Sequence, residues 1–188
     1  MTDLASSSQI RAALKLHPLS GCDAVESIEV DILRSGAYDW LLRYRVTGNL
    51  RDIRLPLPRG HSRADELWRH TCFELFLRRA GQESYYEFNF APSLQWAAYR
   101  FDGYRQGMRN LEIPPPRIAI RQDENSLELQ ATPNFGKISG LGPESDWQLG
   151  ASAIIENTGG GISYWALAHP PGKPDFHHAE AFVLYLSA

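Results

Sequence analysis

Carboxylate and amide side chains interrupt two aromatic segments that are typical of neighbouring β-strands. Glu74 lies within CFELFL, and Glu87 and Asn89 lie within YYEFNF. Because side chains alternate between the two faces of a strand, these polar residues lie on faces opposite to apolar sets such as Phe73 and Leu75. Two acidic groups and an amide on one sheet face are suited to hydrogen bonding with a hydroxyl-rich ligand.

The register between these two strands decides how close the carboxylates come. A register that sets Glu74 opposite Glu87 is compatible with the sequence, and like charges directly opposed destabilise a sheet. A cation or a hydroxyl-rich ligand between them would relieve that repulsion. The alternative is a solvated face on which both carboxylates form ion pairs. The arginines that could serve as partners are Arg45, Arg78 and Arg100.

Aromatic side chains near strand ends could form the walls of such a site. Flat rings pack on the apolar faces of sugar rings, and Tyr and Trp combine an apolar body with a polar tip. The candidates are Trp68, Trp96, Tyr99 and Trp165. The alternative is that these rings belong to the core, since β-sandwiches also bury tryptophan.

A proline-framed loop near the C-terminus holds a second group of polar residues. His169, Asp175 and His177 are near one another in sequence and could hold a metal ion. Their spacing is not that of a zinc site, and His177 and His178 would point to opposite faces of an extended chain. The interpretation we favour is a rigid loop, in which Asp175 accepts backbone N–H bonds and one histidine caps them.

Motifs that indicate catalysis are absent from the sequence. It contains no nucleophile elbow, no phosphate-binding glycine loop and no HExxH. Glu74 and Glu87 could act as the acid/base pair of a glycosidase, but one such pair is weak support. We therefore expect a protein that binds rather than catalyses.

The elements that must position these residues are strands separated by turns. Short segments of alternating or aromatic-rich sequence recur at regular spacing, which is typical of an antiparallel meander rather than of βαβ units. The expected fold is an all-β antiparallel sandwich, jelly-roll-like, of ten or eleven strands. With 188 residues, we expect a flexible N-terminus at residues 1–9 and a single domain over residues 10–188.

Charge and hydropathy exclude several partners. The net charge is −3 and basic residues form no stripe, so nucleic acid is not expected. No apolar run approaches the roughly 18 residues of a membrane-spanning helix. Leu19–Cys22 resembles the cleavage box of a lipoprotein, but charges and Pro18 interrupt the segment before it, unlike a leader peptide. The two cysteines do not form a disulfide framework. We expect a cytoplasmic protein.

Two segments carry a resemblance to a known family. LWRHTCFELFL with YYEFNFAPSLQWAAYRFDGYRQGM, and the distal ALAHPPGKPDFHHAEAFVLYL, resemble the DOMON-like superfamily, which includes family 9 carbohydrate-binding modules and haem-binding DOMON domains. The resemblance extends from about Leu14 to Leu186, and within the superfamily the chain is most similar to a bacterial branch of stand-alone proteins. It implies a β-sandwich with a ligand site on or beside one sheet, and binding of sugar or haem without hydrolysis.

The function predicted from these observations is non-catalytic binding of a small hydroxylated ligand, most plausibly a carbohydrate, with no cofactor. A haem-binding redox domain is the alternative, and its axial ligands would come from Met108 and a histidine such as His177. Further alternatives are a protein interaction domain and a weak glycan-active enzyme.

Overall fold

A computed structural model of the chain describes residues 8–34, 36–138 and 145–187. The described part is built of antiparallel strands with three 3-10 turns and no α-helix, which confirms the predicted all-β sandwich. The N-terminal segment expected to be flexible lies outside the described residues up to residue 7. Ser8 and Gln9 already belong to the first strand, where they pair with Arg34 and Leu33.

The first sheet contains five strands in the order β1-β2-β3-β9-β8. Their bounds are β1 Ser8–Leu16, β2 Val25–Arg34, β3 Trp40–Gly48, β8 Arg117–Gln122 and β9 Ser126–Thr132. Alternation along β3 is regular, because every second side chain from Trp40 to Val46 is buried. This face therefore turns inward, as the period of two requires.

The second sheet runs in the order β7-β6-β5-β4-β10-β11-β1, and β12 pairs with β10. Its further strands are β4 Cys72–Arg79, β5 Tyr85–Phe90, β6 Trp96–Phe101, β7 Arg109–Asn110, β10 Trp147–Glu156, β11 Ile162–Ala166 and β12 Leu184–Leu186. The start of β1 pairs with β2 and its end pairs with β11, so this strand joins the two sheets. The described chain has twelve strands, and the two-residue β7 was not expected from the sequence.

The main core lies between the two sheets. Phe73, Leu75 and Phe88 point into it from the second sheet, and Tyr44 enters from the first. The Tyr44 and Phe73 rings lie 5.1 Å apart, and the Tyr44 hydroxyl donates to the backbone carbonyl of Glu74. The apolar sets predicted from alternation in β4 and β5 are thus the core-facing ones.

The outer face of the second sheet, which is turned away from the first sheet, is also covered. All six side chains of β5 are buried, including those that point away from the main core. A second apolar cluster lies here, formed by Phe76, Tyr85 and Phe101 with Phe176 and Phe182 of the C-terminal segment. This face is therefore not the wet side of a sandwich.

Close approach of the C-terminal segment depends on a glycine in β10. A Cβ atom at Gly150 would lie 3.1 Å from the backbone oxygen of Ala181. Ala181 belongs to a 3-10 turn, Ala179–Ala181; the other two are Leu50–Asp52 and Leu67–Arg69.

Among the described residues, no helix is long and apolar enough to cross a bilayer.

Candidate functional site

A row of short and polar side chains crosses the outer face of the second sheet. Register places Glu74 opposite Asn89 on β5 and opposite Ser152 on β10. The row continues into alanine on both sides, at Ala97 of β6 and Ala166 of β11. Because the flanking side chains are small, a hollow is left above the polar centre of the row.

Glu87 lies in the neighbouring row, two residues from Asn89 along β5 and on the same face of the sheet. It faces Phe76 on β4 and Tyr99 on β6. The two carboxylates are therefore diagonal neighbours rather than directly opposed, and the register suggested from the sequence is wrong. Diagonal residues remain within reach of each other's charge but avoid the direct like-charge contact that destabilises a sheet.

A cavity of about 330 Å³ lies over these rows, and we call it the carboxyl pocket. Its walls come from the sheet face, from the turn at Trp68 and from the two covering loops around Arg105 and Pro174. The lining residues are Trp68, Glu74, Glu87, Phe101, Arg105, Met108, Ile154, Tyr164, Pro174, Phe176 and His177. Five of these residues were candidates from the sequence, namely Trp68, Glu74, Glu87, Met108 and His177.

Each carboxyl group in the pocket has one oxygen bound to the protein. Ser152 Oγ donates to Glu74 Oε2 at 2.8 Å, and Asn89 Nδ2 donates to Glu87 Oε1 at 2.7 Å. Glu74 is 3% exposed and Glu87 is 5% exposed. Within the described residues, the second oxygen of each group forms no hydrogen bond to protein. Both residues line the cavity, so these oxygens are available to a donor that enters it.

The protonation of this pair is shifted toward the neutral form. Burial raises the pKa of Glu74 above its ordinary range, and the charge of Glu87 raises it further. Burial likewise raises the pKa of Glu87, against the hydrogen bond from Asn89 and the charge of Arg105. Two coupled carboxyls of this kind share a proton at pH values where exposed carboxyls have lost theirs.

The ion-pair alternative for these carboxylates is wrong. Arg45 lies 3.4 Å from both Glu29 and Glu128, and Arg78 donates to Gln148. The Arg100 guanidinium lies 5.9 Å from the centre of the Tyr86 ring. None of the three expected arginines reaches the carboxyl pocket.

His177 fixes the C-terminal loop over the pocket. Its Nδ1 lies 2.8 Å from the Tyr85 hydroxyl, which also accepts the backbone N–H of Arg105 at 3.3 Å. The hydroxyl proton then has Nδ1 as its acceptor, so the ring carries its proton on Nε2, 3.8 Å from Glu87 Oε2. Burial lowers the pKa of His177 to about 4, so the ring is neutral at pH 7.

Asp175 binds the two covering loops together. It accepts hydrogen bonds from Arg105 Nη2 at 2.8 Å, from the Tyr104 hydroxyl and from the backbone N–H of His177 at 3.1 Å. The side chain of His178 accepts the backbone N–H of Glu180 at 3.2 Å. The hydrogen bonds expected of Asp175 and of one histidine in this segment are therefore present. Arg105 brings a positive charge to the pocket that Asp175 balances.

The structure does not assemble the metal ligands considered from the sequence. His169 Nε2 lies 2.8 Å from the backbone oxygen of Lys15, and its ring contacts His17 with centres 4.8 Å apart. Asp175 is held by Arg105. Across residues 8–34, 36–138 and 145–187, no three His, Cys, Asp or Glu side chains are grouped to hold a metal ion.

The aromatic candidates separate into two groups. Trp68 lines the carboxyl pocket, whereas Trp96 and Trp165 are each 5% exposed and belong to the main core, so their predicted place at the ligand face is wrong. Tyr99 donates to Asp65 at 2.7 Å and packs edge-on against Trp68, with ring centres 6.1 Å apart. It supports the wall, as Asn89 supports Glu87 from a fully buried position.

Several pocket residues were not found from the sequence. The sequence could have indicated Phe176, because it lies inside the polar loop already considered. It indicated Tyr164 less strongly: Tyr164 precedes Trp165 in β11, and if one ring is in the core the other must face outward. The sequence did not indicate Arg105 or Ser152, since each joins the site through contacts that are distant in sequence.

The residues present do not fit haem. Met108 and His177 line the same pocket, as axial ligands would. However, Nδ1 of His177 is held by Tyr85 and Nε2 is directed at Glu87, so neither ring nitrogen is presented to open space. Two buried carboxyls beside the cofactor would also oppose the negative charge of its propionates.

Comparisons with known proteins show similarity at the level of fold. The sequence matches no protein-family model and no curated protein. Among solved structures, a proposed carbohydrate-binding protein from Bacteroides uniformis ATCC 8492 superposes with a TM-score of 0.59 and 15% identity, covering 92% of this chain and 84% of that chain. The chain therefore has the fold of that protein, over nearly its full length.

Proposed function

We propose that the protein is a non-catalytic binding domain for a small hydroxylated ligand, most plausibly one sugar unit, held in the carboxyl pocket. The observation that carries this is a pair of carboxyl groups, on Glu74 and Glu87, that line an aromatic-walled cavity and each keep one oxygen that accepts no hydrogen bond from the described residues. Ligand hydroxyls can donate to these oxygens. The rings of Trp68, Tyr164 and Phe176 can pack on the apolar faces of the ligand.

The size of the pocket supports a small ligand. About 330 Å³ lies at the lower end of the range for small-molecule sites, roughly 300–1,000 Å³. The structurally similar protein from Bacteroides uniformis is a proposed carbohydrate-binding protein. That description agrees with this function but does not assign it. We further propose membership of the DOMON-like superfamily, on the resemblance of the two segments named above.

The test is thermal denaturation of the purified protein with a panel of mono- and disaccharides. Stabilisation by a bound ligand grows as RT ln(1 + [L]/Kd), so a true ligand raises the midpoint in a concentration-dependent way. Glu87→Gln should lose that response. Glu83→Gln, which changes an exposed carboxylate outside the carboxyl pocket, is the matched control and should keep it.

The outcomes separate the alternatives. If no saccharide raises the wild-type midpoint, the proposal fails. If a saccharide does and Glu87→Gln responds equally, binding occurs but not in the carboxyl pocket. Recovery of the saccharide unchanged by mass spectrometry would support the non-catalytic role, and cleavage products would replace it with a glycan-active enzyme. A Soret band after addition of haem would favour the redox alternative.

A further inference from the structure

The carboxyl pocket combines two acidic groups with aromatic walls that attract cations. Glu74 and Glu87 face the cavity from β4 and β5, and each presents one oxygen that accepts no hydrogen bond from the described residues. Phe101, Tyr164 and Phe176 line the same cavity. Aromatic faces carry negative potential, so a cation surrounded by rings is attracted even before any carboxylate is considered.

Among the described residues that line the pocket, the one cation near the pair already has a carboxylate partner. Arg105 is the only arginine or lysine among the lining residues, and it is committed to Asp175 at 2.8 Å. His177 is neutral at pH 7 and holds its N–H 3.8 Å from Glu87. Other titratable groups near the pair are neutral at this pH, because burial raises the pKa of each. They are the phenols of Tyr44, Tyr85 and Tyr99 and the thiol of Cys72.

We propose that the ligand of the carboxyl pocket carries a protonated amine, and that the pocket takes an amino sugar in preference to the neutral sugar of the same shape. This rests on the proposed function and specifies its ligand. The ammonium group would donate to the unpartnered oxygens of Glu74 and Glu87, with aromatic rings around it. An N–H cation supplies donors only, which is what two acceptor oxygens require.

Binding of the cation displaces protons from the carboxyl pair. The amine enters already protonated, and the carboxyl pair then becomes fully ionised because an opposite charge within a few ångströms favours the charged form. The protons that the pair held pass to the buffer. Because burial raises the pKa of Glu74 to about 8 and that of Glu87 to about 7, each binding event between pH 6 and 7 should release between about one and two protons, while a neutral sugar should release none.

The test is calorimetric titration of the full chain at pH 6.5, with glucosamine, galactosamine and mannosamine, their N-acetyl forms and the parent hexoses. Repeating each titration in two buffers of different ionisation enthalpy counts the protons released. We expect at least one amine to bind about tenfold or more tightly than its N-acetyl and hexose counterparts. Glu74→Gln should reduce that preference to about threefold or less, and Glu83→Gln should leave it unchanged.

Failure of this inference can be told apart from failure of the proposed function. Hexoses or N-acetyl sugars that bind as tightly as the amines, without proton release, would overturn the cation preference and leave sugar binding intact. Methylammonium that binds in the pocket while every sugar fails would support cation recognition and overturn the sugar. Absence of binding by all probes, including methylammonium, would overturn both.

Discussion

At the scale of single residues, Glu74 and Glu87 are kept close at an energetic cost. Both are almost fully buried, each has one bonded oxygen, and burial raises the pKa of each. Buried charge of this kind contributes nothing to folding that apolar residues could not supply. We therefore regard the pair as serving the pocket rather than the stability of the sheet.

The energetic cost should be measurable through pH. A carboxyl whose folded pKa lies above its unfolded value contributes stability that is fully present below the unfolded pKa, about 4.5, and is lost as the pH rises through the folded pKa. Glu74→Gln removes this loss. We expect the variant to gain at least about 1 kcal/mol of unfolding free energy over wild type between pH 5 and pH 8.

The measurement is urea denaturation of both proteins at the two pH values. Groups that titrate independently of Glu74 cancel in the comparison, and the same experiment with Glu83→Gln should show no change with pH. A Glu74→Gln variant that loses stability equally at both pH values would mean that the carboxylate is ionised and structurally paired.

Truncation of Trp165 and truncation of Trp68 should have different effects. Trp165 is 5% exposed in the main core and its Nε1 donates to Ser163 Oγ at 3.1 Å, so Trp165→Ala should cost about 3–5 kcal/mol. Trp68 is half-buried at the wall of the carboxyl pocket. Trp68→Ala should cost less than about 2 kcal/mol and remove ligand-induced stabilisation. Equal losses of stability for the two variants would contradict their placement.

At the scale of elements, the pocket exists because two loops cover a sheet face. Asp175, His177 and Tyr85 form the contacts that hold the C-terminal loop down. Gly150 lets the backbone at Ala181 approach β10 closely. Loss of these contacts would expose the polar row to water and leave the main core intact.

The Tyr85 hydroxyl should control how often this loop opens. Tyr85→Phe leaves the buried Nδ1 of His177 without its donor, a loss worth about 1–3 kcal/mol. Hydrogen exchange over residues 170–178 should accelerate by about tenfold or more. Tyr185→Phe on β12, which removes an exposed hydroxyl that accepts a hydrogen bond from Gln148 Nε2 of β10, is the matched control. Unchanged exchange in Tyr85→Phe would show that other contacts hold the loop.

Strand alternation is the part of this arrangement that the sequence could predict. It separated Glu74 from Phe73 and Glu87 from Phe88 correctly, because a period of two is a local property. Strand alternation could not predict the register, because the alignment that sets Glu74 opposite Asn89 depends on loop geometry rather than on side-chain type.

The cover over the pocket could not be predicted for a related reason. Tyr85 meets His177, and Glu74 meets Ser152, through contacts between residues that are 92 and 78 positions apart. Nothing in the composition of either segment identifies its partner. The sequence showed that the C-terminal loop was rigid and polar, but not that it lies on the outer face of the second sheet.

At the scale of the whole molecule, β1 joins the two sheets. Its first part pairs with β2, whereas Lys15 pairs with Ala166 of β11 and Leu16 pairs with Trp165. The main core draws side chains from both sheets. The described residues should therefore unfold as one cooperative unit, as expected for a single domain. Far-UV and near-UV circular dichroism should give coincident urea transitions, and separate midpoints would indicate two units.

The central claim, that the carboxyl pocket binds a small hydroxylated ligand, is tested most directly by a crystal structure of the complex. The ligand should be the saccharide or amino sugar that most raises the melting temperature. We predict that it lies between Trp68 and Phe176, with hydroxyl or amine donors within about 3.2 Å of the free oxygens of Glu74 and Glu87. Density for that ligand elsewhere on the protein, with the carboxyl pocket holding only water, would contradict the claim.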